Sequence, residues 1–135
     1  MIFAAVLMMT GCTKVKTNKL QGIWSTPPEY HEAGTSQGDY YPSHHFRQNT
    51  IEFVNSNTLY FLGLAVDDPS TVGTIYNSNN CTPFPNHSGW YYLGNKSPYT
   101  YVFENNKVIV SNGSIYTYMD GKLYKEGSSE ALSPW

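Results

Sequence analysis

The C-terminal half of the chain carries three tight-turn signals at short, regular spacing. Asn105-Asn106, Asn112-Gly113 and Asp120-Gly121 each separate short segments that are rich in Tyr, Val and Ile. Asn-Gly and Asp-Gly are favoured two-residue loops of β-hairpins, because both central positions need positive φ. The pattern therefore predicts an antiparallel meander, with strands near 99–103, 107–111, 114–119 and 122–125.

Composition favours the same all-β class for the rest of the chain. Only 13% of the residues are charged, and Tyr alone counts 12. Tyr, Thr, Val, Ile and Phe suit strands, whereas Asn and Gly suit turns. Alternation and turn residues predict further strands near 22–26, 51–55, 58–64 and 89–93, with turns at 55–57 and 94–98. Residues 29–49 and 65–87 show no periodicity and predict two long loops, the second interrupted by a short strand near 74–76.

Two-residue loops also predict which side chains share a face of the meander. They pair Phe103 with Val108, Tyr101 with Val110, and Val110 with Ile115. The expected interior face comprises Tyr99, Tyr101, Phe103, Val108, Val110 and Ile115. The opposite face comprises Val102, Ile109, Tyr116, Tyr118 and Leu123. A one-residue bulge would exchange the two sets, because successive side chains of a strand point to opposite faces.

The N-terminal segment has the pattern of an export signal. Ile2 to Met9 is an unbroken apolar run, shorter than the ~20 residues that span a bilayer but within the ~7–15 of a signal peptide. Met9-Thr10-Gly11-Cys12 follows and resembles a lipobox, the processing site of bacterial lipoproteins. Met9 stands where Leu is usual, and no Lys or Arg precedes the run, so we expect the natural start to lie upstream. The alternative is a short buried N-terminal strand followed by an incidental Gly-Cys.

The lipobox resemblance implies a division of the chain. Residues 1–11 would be a signal peptide, and Cys12 would carry the lipid. Residues 12–19 would form a Lys-rich tether, 20–126 one β-domain, and 127–135 a loose tail unless Trp135 docks. Cys81 would then have no intramolecular partner, and no cation lies near it in sequence to lower its pKa, so we expect an unreactive thiol.

The folded part resembles the small bacterial lipocalin-like lipoproteins. Leu20-Gln21-Gly22-Ile23-Trp24 is similar to the Gly-x-Trp of the first lipocalin strand, and the run from Tyr101 to Lys125 is similar to the hairpin ladder that ends in Gly-Lys-Leu. The resemblance implies an up-and-down barrel of about eight strands, with Trp24 closing one end. The Thr-Asp-Tyr signature is missing and the two long loops are not typical of the family. An open barrel or a β-sandwich is the alternative.

Little in the sequence favours catalysis, and we expect neither an enzyme nor a cofactor. There is no His-Glu-x-x-His, phosphate-binding glycine loop or Cys-x-x-Cys. The net charge of −2 gives no field that would attract nucleic acid. His31-Glu32, Asp39 and His44-His45 share one segment, but their spacing fits no known metal site. Asp67-Asp68 is typical of a turn before Pro69, so we expect no metal.

The aromatic residues are the best candidates for function. A ligand-binding hypothesis for a small hydrophobic molecule inside the barrel rests on Trp90, Tyr92, Tyr99, Tyr101 and Phe103. On an exposed face, aromatics would instead serve a protein- or glycan-interaction module, including an enzyme inhibitor. They also suit a plain packed core. The expected location is the cell envelope, with a lipid on Cys12 in the membrane. Lys14 after Thr13 favours the outer membrane over the inner one, because it is not the acidic residue that retains some lipoproteins at the inner membrane.

Overall fold

The computed structural model describes residues 20–36, 38–70, 75 and 81–135. Within these ranges no helix is long and apolar enough to cross a membrane. Cys12, the signal and the tether lie outside them, as do residues 74 and 76 of the short strand predicted there. The described strands are β1 (Gly22–Ser25), β2 (Glu29–His31), β3 (Gly34–Ser36), β4 (Asp39–Tyr41), β5 (His45–Phe53), β6 (Thr58–Asp67), β7 (Cys81–Pro83), β8 (Trp90–Glu104), β9 (Lys107–Val110), β10 (Ile115–Met119), β11 (Lys122–Lys125) and β12 (Ala131–Pro134).

Eight of these strands close into an antiparallel up-and-down barrel. Their order is β1-β12-β11-β10-β9-β8-β6-β5, and β1 pairs with both β12 and β5. Because each end strand has a partner on both sides, the ring has no free edge. The all-β class and the closed barrel are confirmed, in place of an open barrel or a sandwich.

The predicted turn at 94–98 is wrong, because β8 runs through it as one strand. Phe61 of β6 pairs with Ser97, and Gly63 with Leu93, so three residues of β8 stand opposite Leu62. The extra residues form a bulge, which bends a strand without reversing it. The strands expected at 89–93 and 99–103 are therefore the two halves of β8.

The eighth barrel strand comes from the C-terminal tail, which is not loose. Ala131 pairs with Tyr124 and Leu132 with Leu123, and Pro134 pairs with Trp24 on the other side. Strand β12 thereby joins β11 to β1 and completes the ring.

The predicted register holds for the first hairpin of the meander and fails at the second. Phe103 pairs with Val108 and Tyr101 with Val110, across the two-residue loop Asn105-Asn106. Ile115, however, pairs with Ile109 and not with Val110. The Val110 N–H donates to the Ser114 carbonyl, so three residues, 111–113, form the loop between these two partners. Its last residue, Gly113, has φ 97° and donates its N–H to the Val110 carbonyl. One extra loop residue exchanges the faces from there on.

The barrel interior is consequently filled by a mixture of the two predicted sets. Ile115 is not part of the buried cluster, whereas Tyr116, Tyr118 and Leu123 belong to it. Trp24 lies in the same cluster, edge-to-face with Tyr118 at 6.0 Å between ring centroids. The buried members are Leu20, Trp24, Ile51, Phe53, Leu59, Tyr101, Val108, Val110, Tyr116, Leu123 and Leu132.

The expectation of one long loop over residues 29–49 is wrong. Strand β5 already begins at His45. Strands β2 and β1 pair with the same edge of β5, β2 at residues 45–47 and β1 at residues 50–53. Pro27-Pro28 separates β1 from β2, and the register shifts by one residue there, because proline cannot donate to the ladder. Strands β3 and β4 form a separate hairpin.

The three long strands therefore serve two regions. We call the closed part the barrel body. We call the continuation beyond it, formed by β2, residues 45–49 of β5, 63–67 of β6, 90–93 of β8 and strand β7, the sheet extension. It begins at the end of the barrel where β9 turns into β10 and β11 into β12, which we call the open end.

Candidate functional site

The open end of the barrel body contains a cavity of ≈ 430 Å³. The other end is filled by the buried cluster, so the cavity is a cup and not a channel. The strands β5, β6 and β10 and the turns that follow β9 and β11 supply its walls. The lining residues are Asn49, Thr50, Phe61, Leu62, Gly63, Asn95, Asn112, Ser114, Tyr116, Lys125 and Glu130.

Aromatic rings form the deep side of this cup. The ring centroid of Phe61 lies 5.4 Å from that of Tyr99 and 6.4 Å from that of Tyr116. Burial, together with the nearby Glu130, raises the pKa of Tyr116 to about 12. Its hydroxyl therefore stays protonated near neutral pH, and the deep side presents no negative charge.

The rim of the cup is made of amides, hydroxyls and one pair of opposite charges. Asn112 and Ser114 come from the β9–β10 turn, and Asn95 comes from the bulge of β8. Asn112 is held in place, since its side-chain oxygen accepts the Ser114 backbone N–H at 2.9 Å. Lys125 and Glu130 flank the turn between β11 and β12. The cup is thus apolar at its floor and rich in hydrogen-bonding groups at its mouth.

The structure does not bring the five predicted ligand residues together. Tyr101 is buried in the barrel core and donates its hydroxyl to the Asn55 carbonyl at 2.7 Å. Tyr99 and Phe103 pack against the same core. Trp90 and Tyr92 lie instead in a separate cluster with Leu62, Leu64 and Phe84. Ligand contact by these five remains a prediction; the Tyr99 ring lies 5.4 Å from that of Phe61 on the cup floor, measured between centroids.

Trp135 covers this separate cluster on the outer face of the sheet. Its ring lies 5.1 Å from Trp90 and 5.0 Å from His87, measured between centroids. Its indole N–H donates to the Gln48 side-chain oxygen at 3.0 Å. Because Gln48 and Trp90 belong to the sheet extension, the C-terminal residue connects the last barrel strand to that region.

A polar network occupies the inner face of the sheet extension. The buried Ser43 hydroxyl donates to Asp67 at 2.6 Å, and the Ser43 carbonyl lies 2.9 Å from His45 Nδ1. His45 Nε2 accepts the Arg47 Nε–H at 2.8 Å, so Nδ1 carries the proton and donates to that carbonyl. His45 is 0% exposed, and burial is the main cause that lowers its pKa. The ring is therefore neutral.

A second cavity, of ≈ 340 Å³, lies beside this network. It is lined by Thr26, Pro27, Glu29, His31, Arg47 and Asn49. Sequence reasoning missed it, because β2 and the start of β5 have no hydrophobic alternation. The only available signal was the i, i+2 spacing of His45, Arg47 and Asn49, which places three polar side chains on one face of a strand.

The histidines of this region do not form a metal centre with the acidic residues. In the described ranges, no group of three or more His, Cys, Asp or Glu side chains is placed to hold a metal ion. His31 stacks on His45 with centroids 5.7 Å apart, and His44 Nδ1 accepts the Ala33 N–H at 2.8 Å. Asp67 accepts from Ser43 and from the Ile75 N–H, and Asp68 accepts from the Ser70 N–H, which lowers its pKa.

Sequence reasoning took the chain to have no Gly-x-Ser-x-Gly motif, and this was wrong. Gly34-Thr35-Ser36-Gln37-Gly38 matches Gly-x-Ser-x-Gly, whose serine is exposed on a sharp turn between a strand and a helix in hydrolases. Here Gly34–Ser36 is strand β3, and strand β4 follows it as a hairpin partner. The match lacks the strand–turn–helix context that the nucleophile requires.

Cys81 has the properties of a structural thiol. It is half-buried on β7 and packs with Ala65, Ile75 and Leu93. Burial, with a smaller contribution from Asp67, raises its pKa to about 11. The thiol is therefore protonated near neutral pH and is a poor nucleophile.

No protein-family model, no curated protein and no solved structure matches this chain.

Proposed function

We propose that the protein is a non-enzymatic, lipid-anchored protein of the cell envelope that binds a small ligand in the cup at the open end of its barrel. The observation that carries the binding proposal is the cup of ≈ 430 Å³ above a filled barrel floor. A cavity of this size lies within the range of small-molecule sites, about 300–1,000 Å³.

The lining supports a ligand that has both an apolar face and polar edges. Phe61 and Tyr116 offer ring surface, while Asn49, Asn95 and Asn112 offer amides. A sugar ring has this character, because its C–H face packs on aromatics and its hydroxyls bond to amides. The cup suits a purely hydrophobic ligand less well, because the apolar interior of the barrel is filled by the protein's own side chains. The glycan alternative is therefore the one we favour.

Gly63 offers a direct test of the cup. It lines the cavity, and a Cβ built on it would meet nothing within 4 Å. Gly63→Phe should fill the cup without a backbone clash. Val102→Phe adds a ring at an exposed position of β8 and is the matched control.

The measurement is native mass spectrometry of the full chain extracted from membranes. We expect a bound hydroxylated small molecule on the wild type and on Val102→Phe, and none on Gly63→Phe. An empty wild type, or equal loading of all three, would refute the binding proposal. Loading with a plain alkyl chain would refute the proposed ligand chemistry.

The anchor is tested separately at the two cysteines. The proposal rests on the lipobox-like Met9 to Cys12 and the polar tether that follows it. Cys12→Ser should release the protein from the membrane fraction, because the serine side chain has no sulfur with which to form the thioether bond to the lipid. Cys81→Ser is the control and should stay in the membrane fraction. An unmodified Cys12 in the mass spectrum of the membrane-extracted wild type would disprove the anchor.

A further inference from the structure

Arg47 is held firmly in place but its charge is not neutralised. Its Nε–H bonds to the neutral His45, and its guanidinium lies 4.5 Å from the centre of the Tyr41 ring. Among the described residues, which include every Asp and Glu of the chain, none forms an ion pair with Arg47. Neither of these two partners, His45 and Tyr41, carries a negative charge.

The position of Glu29 makes this arrangement informative. Glu29 stands directly opposite Arg47 in the β2–β5 register, where cross-strand pairs of opposite charge readily form. Its carboxylate instead lies 3.1 Å from His31 Nε2 and is largely exposed. The sheet thus places an acid within reach of Arg47 and leaves the guanidinium open to the second cavity.

The contacts behind Arg47 restrict its motion. Ser43 and His45 are both 0% exposed, and the chain of bonds from Asp67 through Ser43 and His45 ends at Nε. One of the five guanidinium donors is used in this way, so the terminal nitrogens keep their donors for the cavity. A fixed planar fork of this kind matches the oxygens of a carboxylate or a phosphate.

We infer that the second cavity is a binding site for a small oxyanion, a carboxylate or phosphate group, received by the terminal nitrogens of Arg47 with the Asn49 amide beside them. The cavity volume of ≈ 340 Å³ accommodates such a group. This site is distinct from the cup, and Asn49 is the one residue of the described ranges that lines both cavities. The inference therefore does not depend on the proposed function.

The test is a titration of the ¹⁵N-labelled full chain in non-ionic detergent with inorganic phosphate, and in parallel with acetate, at constant ionic strength set by chloride. We expect saturable shifts confined to residues 29–31 and 45–49 with at least one of the two anions, and the anion that binds tells a phosphate source from a carboxylate source. If neither anion causes saturable shifts, or if chloride alone reproduces them, the inference fails.

Four variants sharpen the result. Arg47→Gln should weaken binding roughly tenfold or more, because the charged hydrogen bonds are lost. Glu29→Gln should tighten it about two- to fivefold, because an exposed like charge is removed. Lys96→Gln is the matched control: Lys96 also lies over a tyrosine, Tyr60, at 4.6 Å, but pairs with Glu52 elsewhere, so its loss should leave the affinity unchanged.

Arg47→Lys keeps the charge without the planar fork and should bind several-fold more weakly than the wild type. If Arg47→Gln fails to fold, the affinity of Arg47→Lys tests the role of Arg47 in anion binding. Undiminished affinity in either folded Arg47 variant would overturn the site.

Discussion

The barrel body and the sheet extension share three long strands, yet different interactions stabilise them. The barrel body encloses leucines, valines and aromatic rings, and its interior is a contiguous buried cluster. The inner face of the sheet extension buries Ser43 and His45 and carries Arg47, joined by hydrogen bonds of 2.6–2.9 Å. The stabilisation that apolar burial provides depends mainly on the buried area. The stabilisation that a buried polar network provides depends on every hydrogen-bond partner being present.

The two regions should therefore differ in stability. In the closed ring, every strand forms backbone hydrogen bonds with a neighbour on both sides, and the interior has only to be filled by apolar side chains of the right total volume. Among the described strands, β2 and β7 of the extension each pair with one neighbour only, and the extension has a small core of Tyr41, Ala65 and Ile75. We therefore expect the barrel body to unfold last and the extension to open on its own. Four predictions test this, in order of decreasing effect.

The largest effect is expected from Leu123→Ala in the barrel body. Leu123 is 0% exposed and pairs with Tyr118 and Leu132. The cavity should lower the free energy of unfolding by about 2–5 kcal/mol in urea denaturation. Val102→Thr, at an exposed position of the same barrel, should stay within about 0.5 kcal/mol. Equal losses in the two variants would mean that the interior is not the source of stability.

Ser43→Ala should loosen the extension and leave the barrel body intact. The substitution removes a buried donor from Asp67, at a cost of about 1–3 kcal/mol. In hydrogen exchange, the amides of β2 and of residues 45–47 should exchange faster, while those of Val108 and Val110 keep their protection. Ser111→Ala, in an exposed turn, is the control. A uniform loss of protection would show that the two regions unfold as one unit.

Trp135→Ala tests the connection between the two regions. It removes the bond to Gln48 and the edge-to-face contact with Trp90. Together these should be worth about 1–2 kcal/mol in thermal or urea unfolding. Trp135→Phe keeps a ring and should lose about half as much. If both variants match the wild type, Trp135 does not couple the tail to the extension.

The smallest effect is a pH dependence that belongs to the extension. Burial lowers the pKa of His45, so the unfolded chain binds its proton more readily than the folded one. The stabilisation is present above the unfolded pKa of about 6.5 and is lost as pH falls through it. The charged or titratable groups near this ring include Arg47, His31, Asp67 and Tyr41.

Urea denaturation at several pH values between about 7.5 and 5 checks the sign. The free energy of unfolding should fall on acidification in the wild type, and the fall should be smaller in His45→Gln. His87→Gln, on the outer face, should keep the wild-type slope. A wild-type slope in His45→Gln would assign the pH dependence to another group.

The sequence predicted the meander well because hairpin loops are local. Asn105-Asn106 and Asp120-Gly121 are the two-residue turns that their residues indicate, with positive φ at each position. Asn112-Gly113 has the same signal but sits in a three-residue loop. The signal locates a turn without stating its length, so the strands were right and the faces after Val110 were wrong.

The count of eight strands was correct although one member was misassigned. Gly94 to Pro98 has the composition of a turn, and Gly94 does have positive φ, yet its first three residues form the bulge that bends β8, and Ser97 and Pro98 pair regularly with β6. The missing strand was β12, whose partners Leu123 and Trp24 are far apart in sequence. Barrel closure is a long-range property, and local composition does not show it.

The candidate sites were the least predictable part. The cup is lined by turn residues and by residues of several strands, which have no shared pattern along the chain. The network around Arg47 lies in a segment for which the sequence predicted a loop. The inward-facing residues of this segment are polar, so it shows no hydrophobic alternation.

Local chemistry was therefore sufficient for the strand-rich class and the antiparallel meander, since each depends on neighbouring residues, whereas the lipid anchor at Cys12 stays a prediction. Tertiary packing decided which faces are buried, which strand closes the ring, and how Arg47 comes to lie beside a cavity without an ion pair to any described residue. These outcomes depend on loop length, bulges and contacts between distant strands. A shift of one residue in any of them moves every following side chain to the other face.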